Sequence, residues 1–237
     1  MFQLPWLDPN IIEFPDTYGA LKEPNGLLAA GGQLNTQWLL KAYSLGIFPW
    51  FSEGEPILWW SPSPRAIIYV NQLYISKSLR KILKKNIVRI SFNQAFTSVI
   101  NACSQPRPKQ EQDSTWITDE VKQAYIQLHH LGYAHSVEVW QENQLVGGLY
   151  GISLGRMFFG ESMFSLIPNS SKIALTHLVE KLKQWQYIAI DCQVYNNHLP
   201  SLGAIQIPRI EFEILLRDHV EGIPCHWNGS PNHYKDT

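Results

Sequence analysis

Between Glu55 and Glu111 this 237-residue chain has no Asp or Glu at all. The same stretch carries Arg65, Lys77, Arg80, Lys81, Lys84, Lys85, Arg89, Arg107 and Lys109, while the formal charge of the whole chain is only -1, with 19 Lys+Arg against 20 Asp+Glu. A missing acidic partner set excludes ion pairing within that stretch, and the near-neutral total conceals a basic piece and an acidic piece suited to unlike partners. Cysteine is scarce: Cys103, Cys192 and Cys225 are odd in number, widely spaced and without a CxxC, which excludes a disulfide framework or a zinc knuckle. No run of 18 apolar residues occurs, and MFQLPWLDPN has neither a basic leader nor a clean apolar core. Neither a membrane span nor a secretory signal is expected, and a cytoplasmic protein is. Internal repeats, heptads and long low-complexity tracts are missing too; QPRPKQEQDS at 105–114 reads as an exposed loop.

What is present is enough apolar residue, 45% of 27.2 kDa, for one or two domains with a substantial core. After an irregular start rich in Pro and Gly, the pattern predicts a helix over 36–45 with Asn35 as its N-cap and Gly46 at its stop. RAIIYV (65–70) reads as a strand, Ser76 as the cap of a basic helix 77–85, IVRISF (87–92) as a strand, and Asn93 as the cap of a helix to about Cys103. In the second half Thr118, with Asp119 and Glu120 in the first turn, opens a helix to Leu131 that ends at Gly132. Strands at 134–141, 144–153 and 156–164 follow, then a helix capped by Ser170 and running to Gln186, then a strand over 187–194. The fold class expected is α+β: a small mixed α/β domain over 1–112 and, over 113–237, helix, antiparallel meander, helix and strand in the order of a GNAT-type N-acyltransferase core. Such a domain with CoA as donor carries a turn of the pattern Arg/Gln-x-x-Gly-x-Gly/Ala before its long helix. FSLIPNSSK (164–172) has no glycine there and a proline without an N–H, so CoA is a poor candidate donor.

Several residues invite chemistry. If 187–194 is a strand, Asp191 and Gln193 share a face and Cys192 points to the other; Glu161 then sits on a neighbouring strand end. Two carboxylates and an amide around one cleft could hold a cationic amine against a carbonyl carbon. The plainer alternative makes Asp191 a turn cap and Glu161 a surface acid, and both readings stay open on spacing alone. Cys192 with His198 as a nucleophilic pair is disfavoured by the alternation that turns Cys192 inward. His129, His130 and His135 do not converge as metal ligands, since neighbours on a helix diverge by about 100°. The run Lys77 to Arg89 has six basic residues and no acid, either a solvated helix face or a phosphate-binding one. Trp50, Trp59, Trp60 and Trp116 lie among Gly, Pro and Ser, where an indole could stack on a base or simply join the core.

At these residues the chain resembles the leucyl/phenylalanyl-tRNA–protein transferases. The resemblance rests on EPNGLLAAGGQL (23–34), GIFPWFSEGEPILWWSPSPRA (46–66), TWIT (115–118), GYAHSVEVW (132–140), LVGGLYG (145–151), FFGESMFS (158–165), and IDCQ followed by HLPSLGAIQIPR (190–209); the tail beyond 213 carries none of it. It implies transfer of leucine or phenylalanine, and methionine less well, from aminoacyl-tRNA to the N-terminal Arg or Lys of a protein, marking it for N-end-rule degradation. It also implies a GNAT-like C-terminal domain, a cytoplasmic monomer, and neither cofactor nor metal. Carried onto matching positions, Asp191, Gln193 and Glu161 are the catalytic residues. Trp50, Trp116 and Phe158 would meet the terminal adenosine and acceptor site, and Leu149, Met163, Leu178 and Ile190 would line the amino-acid pocket. Lys77, Arg80, Lys81, Lys84 and Lys85 are the expected tRNA contacts. A non-catalytic RNA-binding adaptor and a CoA-dependent N-acetyltransferase are the rival classes.

Overall fold

The computed structural model describes residues 4–105, 115–221 and 227. In chain order the elements are β1 (Trp6–Leu7), β2 (Leu27–Gly31), α1 (Thr36–Ser44), β3 (Phe48–Pro49), β4 (Leu58–Trp60), β5 (Arg65–Tyr69), α2 (Lys77–Lys84), β6 (Arg89–Phe92), α3 (Phe96–Cys103), α4 (Asp119–His130), β7 (Ala134–Gln141), β8 (Gln144–Leu154), β9 (Met157–Ser165), α5 (Ser170–Gln184), β10 (Ala189–Asp191), β11 (Ile205–Ile207) and α6 (Arg209–His219).

They form two sheets, a small one ordered β1-β2-β4-β3 and a seven-stranded one ordered β11-β5-β10-β9-β8-β7-β6. In the large sheet β7, β8 and β9 are the expected antiparallel meander, and β10 returns parallel to β9 after the α5 crossover. Both faces are covered, which is why its strands read as near-continuous apolar runs. Alternation sends Ile67, Tyr150, Ile152 and Phe159 to a core shared with α1, α3, α4, α6 and the small sheet. Ile68, Leu149, Phe158 and Ile190 go to a second core under α5. The two cores are the two sides of one sheet, and the site forms where the sheet is interrupted.

The caps explain most of the helix starts. The Asn35 side chain accepts from Trp38 N–H at 3.1 Å, Ser76 from Leu79 N–H at 3.2 Å and Thr118 from Val121 N–H at 3.3 Å. Two expected caps are corrected. Helix α3 starts at Phe96, because Asn93 takes a left-handed backbone (φ 58°) and its side-chain oxygen accepts from Ser136 N–H. The buried Glu138 carboxylate faces Gln94 and Ala95 N–H at 3.4 Å instead. Helix α5 is preceded by Asn169 at φ 69°, and Ser170, expected as the cap, donates its hydroxyl to Val146 C=O at 2.9 Å.

The strand expected over 187–194 is ordered as β10 only over Ala189–Asp191, and the irregular start of the chain contains β1 and β2. The domain boundary expected at 112–113 and the loop residues 106–114, with Arg107 and Lys109, lie outside the described residues, as does Cys225. On either side of that boundary the large sheet is shared: β5 and β6 precede it and hydrogen-bond to β10 and β7, which follow it.

Candidate active site

Glu161 owes its position to a β-bulge. Along β8 and β9, Tyr150 pairs with Ser162 and Gly151 with Gly160, so Glu161 is the extra residue without a partner across the ladder. Such a bulge re-aims one side chain out of the sheet's alternation. Gly151 makes it possible: a Cβ there would lie 2.2 Å from Phe159 O. The Glu161 carboxylate reaches Tyr43 of α1 and Tyr125 of α4, with Tyr43 OH at 2.7 Å from Oε1 and Tyr125 OH at 3.0 Å from Oε2. The two phenol oxygens are themselves 2.5 Å apart. Both hydroxyls donate to the carboxylate, which favours its ionised form. Burial raises the Glu161 pKa to about 7 against the lowering by its two tyrosine donors.

Asp191 ends β10 with no solvent exposure. Arg65, at the start of β5, donates Nε to Oδ1 at 2.8 Å and Nη2 to Oδ2 at 2.7 Å, and its Nη1 bonds Gly46 C=O at 3.0 Å. The Phe48 and Phe212 rings lie at 4.8 and 4.7 Å from the guanidinium carbon, so this forked pair is enclosed by aromatic faces. Asp191 Oδ1 also accepts Gln193 N–H at 3.0 Å. Gln193 adopts φ 54°, which breaks the strand alternation and brings its amide Nε2 to 3.5 Å from Glu161 Oε1.

A cavity of about 440 Å³ opens beside Glu161 and Gln193. Its walls include the expected Trp116, Leu149, Phe158, Met163, Leu178 and Ile190. Phe158 is only 1% exposed and sits with the apolar wall, not at an open stacking surface. Trp50 is 46% exposed, outside this lining, and packs on Trp60 at 5.5 Å between ring centroids. Asp191 does not line the cavity either; it reaches it only through the hydrogen bond from Gln193 N–H.

Cys192 packs against the core under α5, the face to which alternation assigns it, and from there it also joins the cavity wall together with His198. Burial and then Asp191 push the Cys192 thiol far up, while burial lowers His198, so the pair holds neither a thiolate nor an imidazolium. His129 meets Ala134 O at 2.8 Å and His135 meets Asn93 at 3.1 Å, each committed away from a shared centre. The first turn of α5, where a CoA pyrophosphate would rest, has Ser171 N–H donated to Ser165 Oγ at 2.9 Å.

Lys77, Arg80, Lys81, Lys84 and Lys85 are all exposed on or beside α2, and among the described residues no carboxylate lies within ion-pair distance of them. Leu79 is buried on the opposite side, joined by Ile82 and Leu83. Sequence reasoning missed Tyr43, Tyr125 and Arg65 as parts of the site. An arginine opening an otherwise apolar strand, RAIIY, was the one available signal for Arg65, since such a charge is buried only with a partner.

The cavity thus ends on a carboxyl and an oriented amide, and comparison with known proteins makes the class of the protein an aminoacyltransferase. The family model described as leucyl/phenylalanyl-tRNA protein transferase matches residues 67–217, and that of its N-terminal domain matches 32–63. Leucyl/phenylalanyl-tRNA–protein transferases from Cellvibrio japonicus (51% identical, covering 95% of this chain and 96% of that one) and Saccharophagus degradans (48%, 98% and 96%) are similar over nearly their whole length. The chain belongs to the leucyl/phenylalanyl-tRNA protein transferase family. The structure of L-PGS from Bacillus licheniformis superposes with a TM-score of 0.39 at 13% identity over 69% of this chain and 52% of that one, below the level of a shared fold.

Proposed function

We propose that this enzyme moves leucine or phenylalanine, and methionine less well, from aminoacyl-tRNA to the N-terminal Arg or Lys of acceptor proteins, marking them for N-end-rule degradation. The observation that carries the reading is the apolar cavity ending on Glu161 and Gln193: it has walls for a γ-branched or aromatic side chain and, at one end, a carboxyl that can meet a cation. Leu149, Met163, Leu178, Ile190 and Phe158 surround the donor side chain, Trp116 meets the terminal adenosine at the cavity wall, and Trp50 extends that contact outside it. The cations of α2 hold tRNA phosphates. The sheet from β7 to β10, with α5, serves as a GNAT-like acyl-transfer core following a tRNA-binding N-terminal unit. The protein acts in the cytoplasm as a monomer.

The reaction joins the acceptor nitrogen to the ester carbonyl carbon and breaks the bond to the ribose oxygen. An aminoacyl ester is already activated, so the step needs neither ATP nor a metal. The acceptor α-amine, with pKa about 7.7–8.0, is roughly a tenth to a fifth neutral at pH 7, and no strong base is required. Gln193 positions that amine, Asp191 holds Gln193 by its N–H, and ionised Glu161 attracts the cationic acceptor. The amine proton ends on the leaving ribose oxygen. Approach of a cation favours the ionised carboxylate, so acceptor binding itself draws Glu161 below its resting value of about 7.

The test is transfer from Leu-, Phe- and Val-charged tRNA to Arg- and Ala-starting peptides. Product from Leu and Phe on the Arg peptide alone supports the proposal. Binding of tRNA without peptide modification would replace it with an adaptor, and equal use of Val would remove the pocket from the account.

A further inference from the structure

Trp227 is buried to 2% exposure in the core beneath α5, although it lies in the tail outside every stretch that carries the family resemblance. Its slot is built from several elements. His135 of β7 stacks on the indole at 3.8 Å with planes 17° apart, and Trp185, just after α5, meets it edge-on at 4.9 Å. Phe92 of β6 closes another side at 6.5 Å. The indole N–H donates to Tyr187 OH at 2.7 Å, and that hydroxyl meets Ser153 Oγ at 2.6 Å. Trp227 therefore has both an apolar enclosure and a satisfied polar handle, the arrangement in which a buried tryptophan is fixed in one orientation.

The slot adjoins the active cavity through one side chain. Phe158 lines the cavity and also stacks against Trp227, with ring centroids 6.1 Å apart and planes 25° apart. The indole fills the side of Phe158 away from the cavity within the same buried cluster, and in a close-packed interior a ring does not move into space that another side chain holds. We propose that Trp227 is a positioning residue for donor selection, acting through Phe158 to set the depth of the amino-acid pocket. The inference rests on the reading that this cavity receives the donor side chain. Removing the indole gives the Phe158 ring space to swing away, so the pocket deepens and larger side chains gain relative to leucine.

The experiment compares full-length wild type, Trp227→Phe and Trp227→Ala for kcat/KM with Leu- and Phe-charged tRNA. The ratio of the two constants does not depend on the fraction of enzyme that is folded, so a purely structural loss leaves it unmoved. Trp227→Ala is expected to raise the Phe/Leu ratio by roughly tenfold, the low end of what one methylene decides in an apolar pocket. Trp227→Phe, which keeps a ring against Phe158, is expected to restore a ratio close to wild type. An unchanged ratio in Trp227→Ala overturns the proposal, as does a shift that Trp227→Phe shows in full. Should the alanine variant yield no folded enzyme, Trp227→Leu carries the same comparison. Wild type that transfers neither amino acid overturns the proposed function itself, an outcome separate from an unmoved ratio.

Discussion

Arg65 grips Asp191 through two parallel nitrogen–oxygen contacts of 2.8 and 2.7 Å in a site where both side chains are essentially unexposed. In the proposed mechanism Asp191 therefore acts on the chemistry at one remove. Its charge is met by the guanidinium, and one of its oxygens serves as the acceptor that holds Gln193 in a left-handed turn.

Asp191→Asn should therefore cost both stability and transfer. Breaking a buried pair leaves the other charge uncompensated, at about 3–5 kcal/mol, so thermal unfolding should fall by many degrees along with the rate. The double variant Arg65→Met/Asp191→Leu separates the effects, because replacing both partners with apolar residues restores stability in buried pairs. Its melting temperature should recover while transfer stays low, since leucine leaves Gln193 N–H without an acceptor. Full recovery of transfer in the double variant would mean that Asp191 does nothing for Gln193.

The pH profile reports on Glu161. With its pKa raised to about 7 by burial, the carboxyl is neutral below that pH and ionised above it. If the ionised form attracts the acceptor, kcat/KM for an Arg-starting peptide should climb through about pH 7, on top of the limb from the acceptor amine at about 7.7–8.0. Glu161→Gln should lose the lower limb and keep the upper one. Tyr43→Phe removes a donor that lowers the Glu161 pKa, so its limb should move above 7. Stability has the opposite sign. The folded value lies above the unfolded one of 4.5, so the contribution of Glu161 is complete below about pH 4.5 and is lost as pH rises through 7. Melting curves of Glu161→Gln and wild type should therefore draw apart in favour of the variant across that window. Parallel curves would remove the raised pKa from the account.

Long elements with clear caps were legible in the sequence, and short ones were not. The meander β7–β9 and helix α4 have enough length for alternation, helical period, Thr118 and Gly132 to agree. Strands β1 and β3 are two residues each and leave no periodicity to read. The site was half legible. Glu161, Asp191 and Gln193 stand out by residue type and motif, but their arrangement depends on a bulge opposite Gly151 and on Gln193 leaving the strand, events that alternation arguments do not contain. Tyr43 and Tyr125 are 82 residues apart in sequence and meet only through the packing of α1 and α4. Arg65 is one of the nine cations of the acid-free segment, and a charge count does not show that it is buried at 1% exposure on Asp191.

Donor selection should respond to the far wall of the cavity. Leu178 of α5 is 1% exposed and is part of the apolar lining. Leu178→Ala should widen the pocket and reduce rejection of Val- and Ile-charged tRNA, by about the 1–3 kcal/mol that one or two methyl groups decide in an apolar pocket. The variant should also lose about 2–5 kcal/mol of stability, so selectivity is read as a ratio of kcat/KM values and unfolding is followed separately. A ratio that stays at the wild-type value would place the side-chain pocket elsewhere.

The basic face makes a prediction that separates phosphate contact from a merely solvated helix. Lys84 and Lys85 are exposed at the C-terminal end of α2, and Leu79, Ile82 and Leu83 hold the helix from its other side. Replacing both lysines with alanine keeps that packing and favours helix formation slightly. If they touch phosphates, tRNA affinity should fall, and the plot of log K against log salt should flatten by about one to two, as each neutralised phosphate adds slightly less than one to the slope. Transfer at saturating tRNA should be unaffected, because neither residue lines the cavity. A solvated face predicts the same slope as wild type. Filter binding of charged tRNA between low and physiological salt distinguishes the two, since only a phosphate-binding face makes the loss of affinity large at low salt and small at high salt.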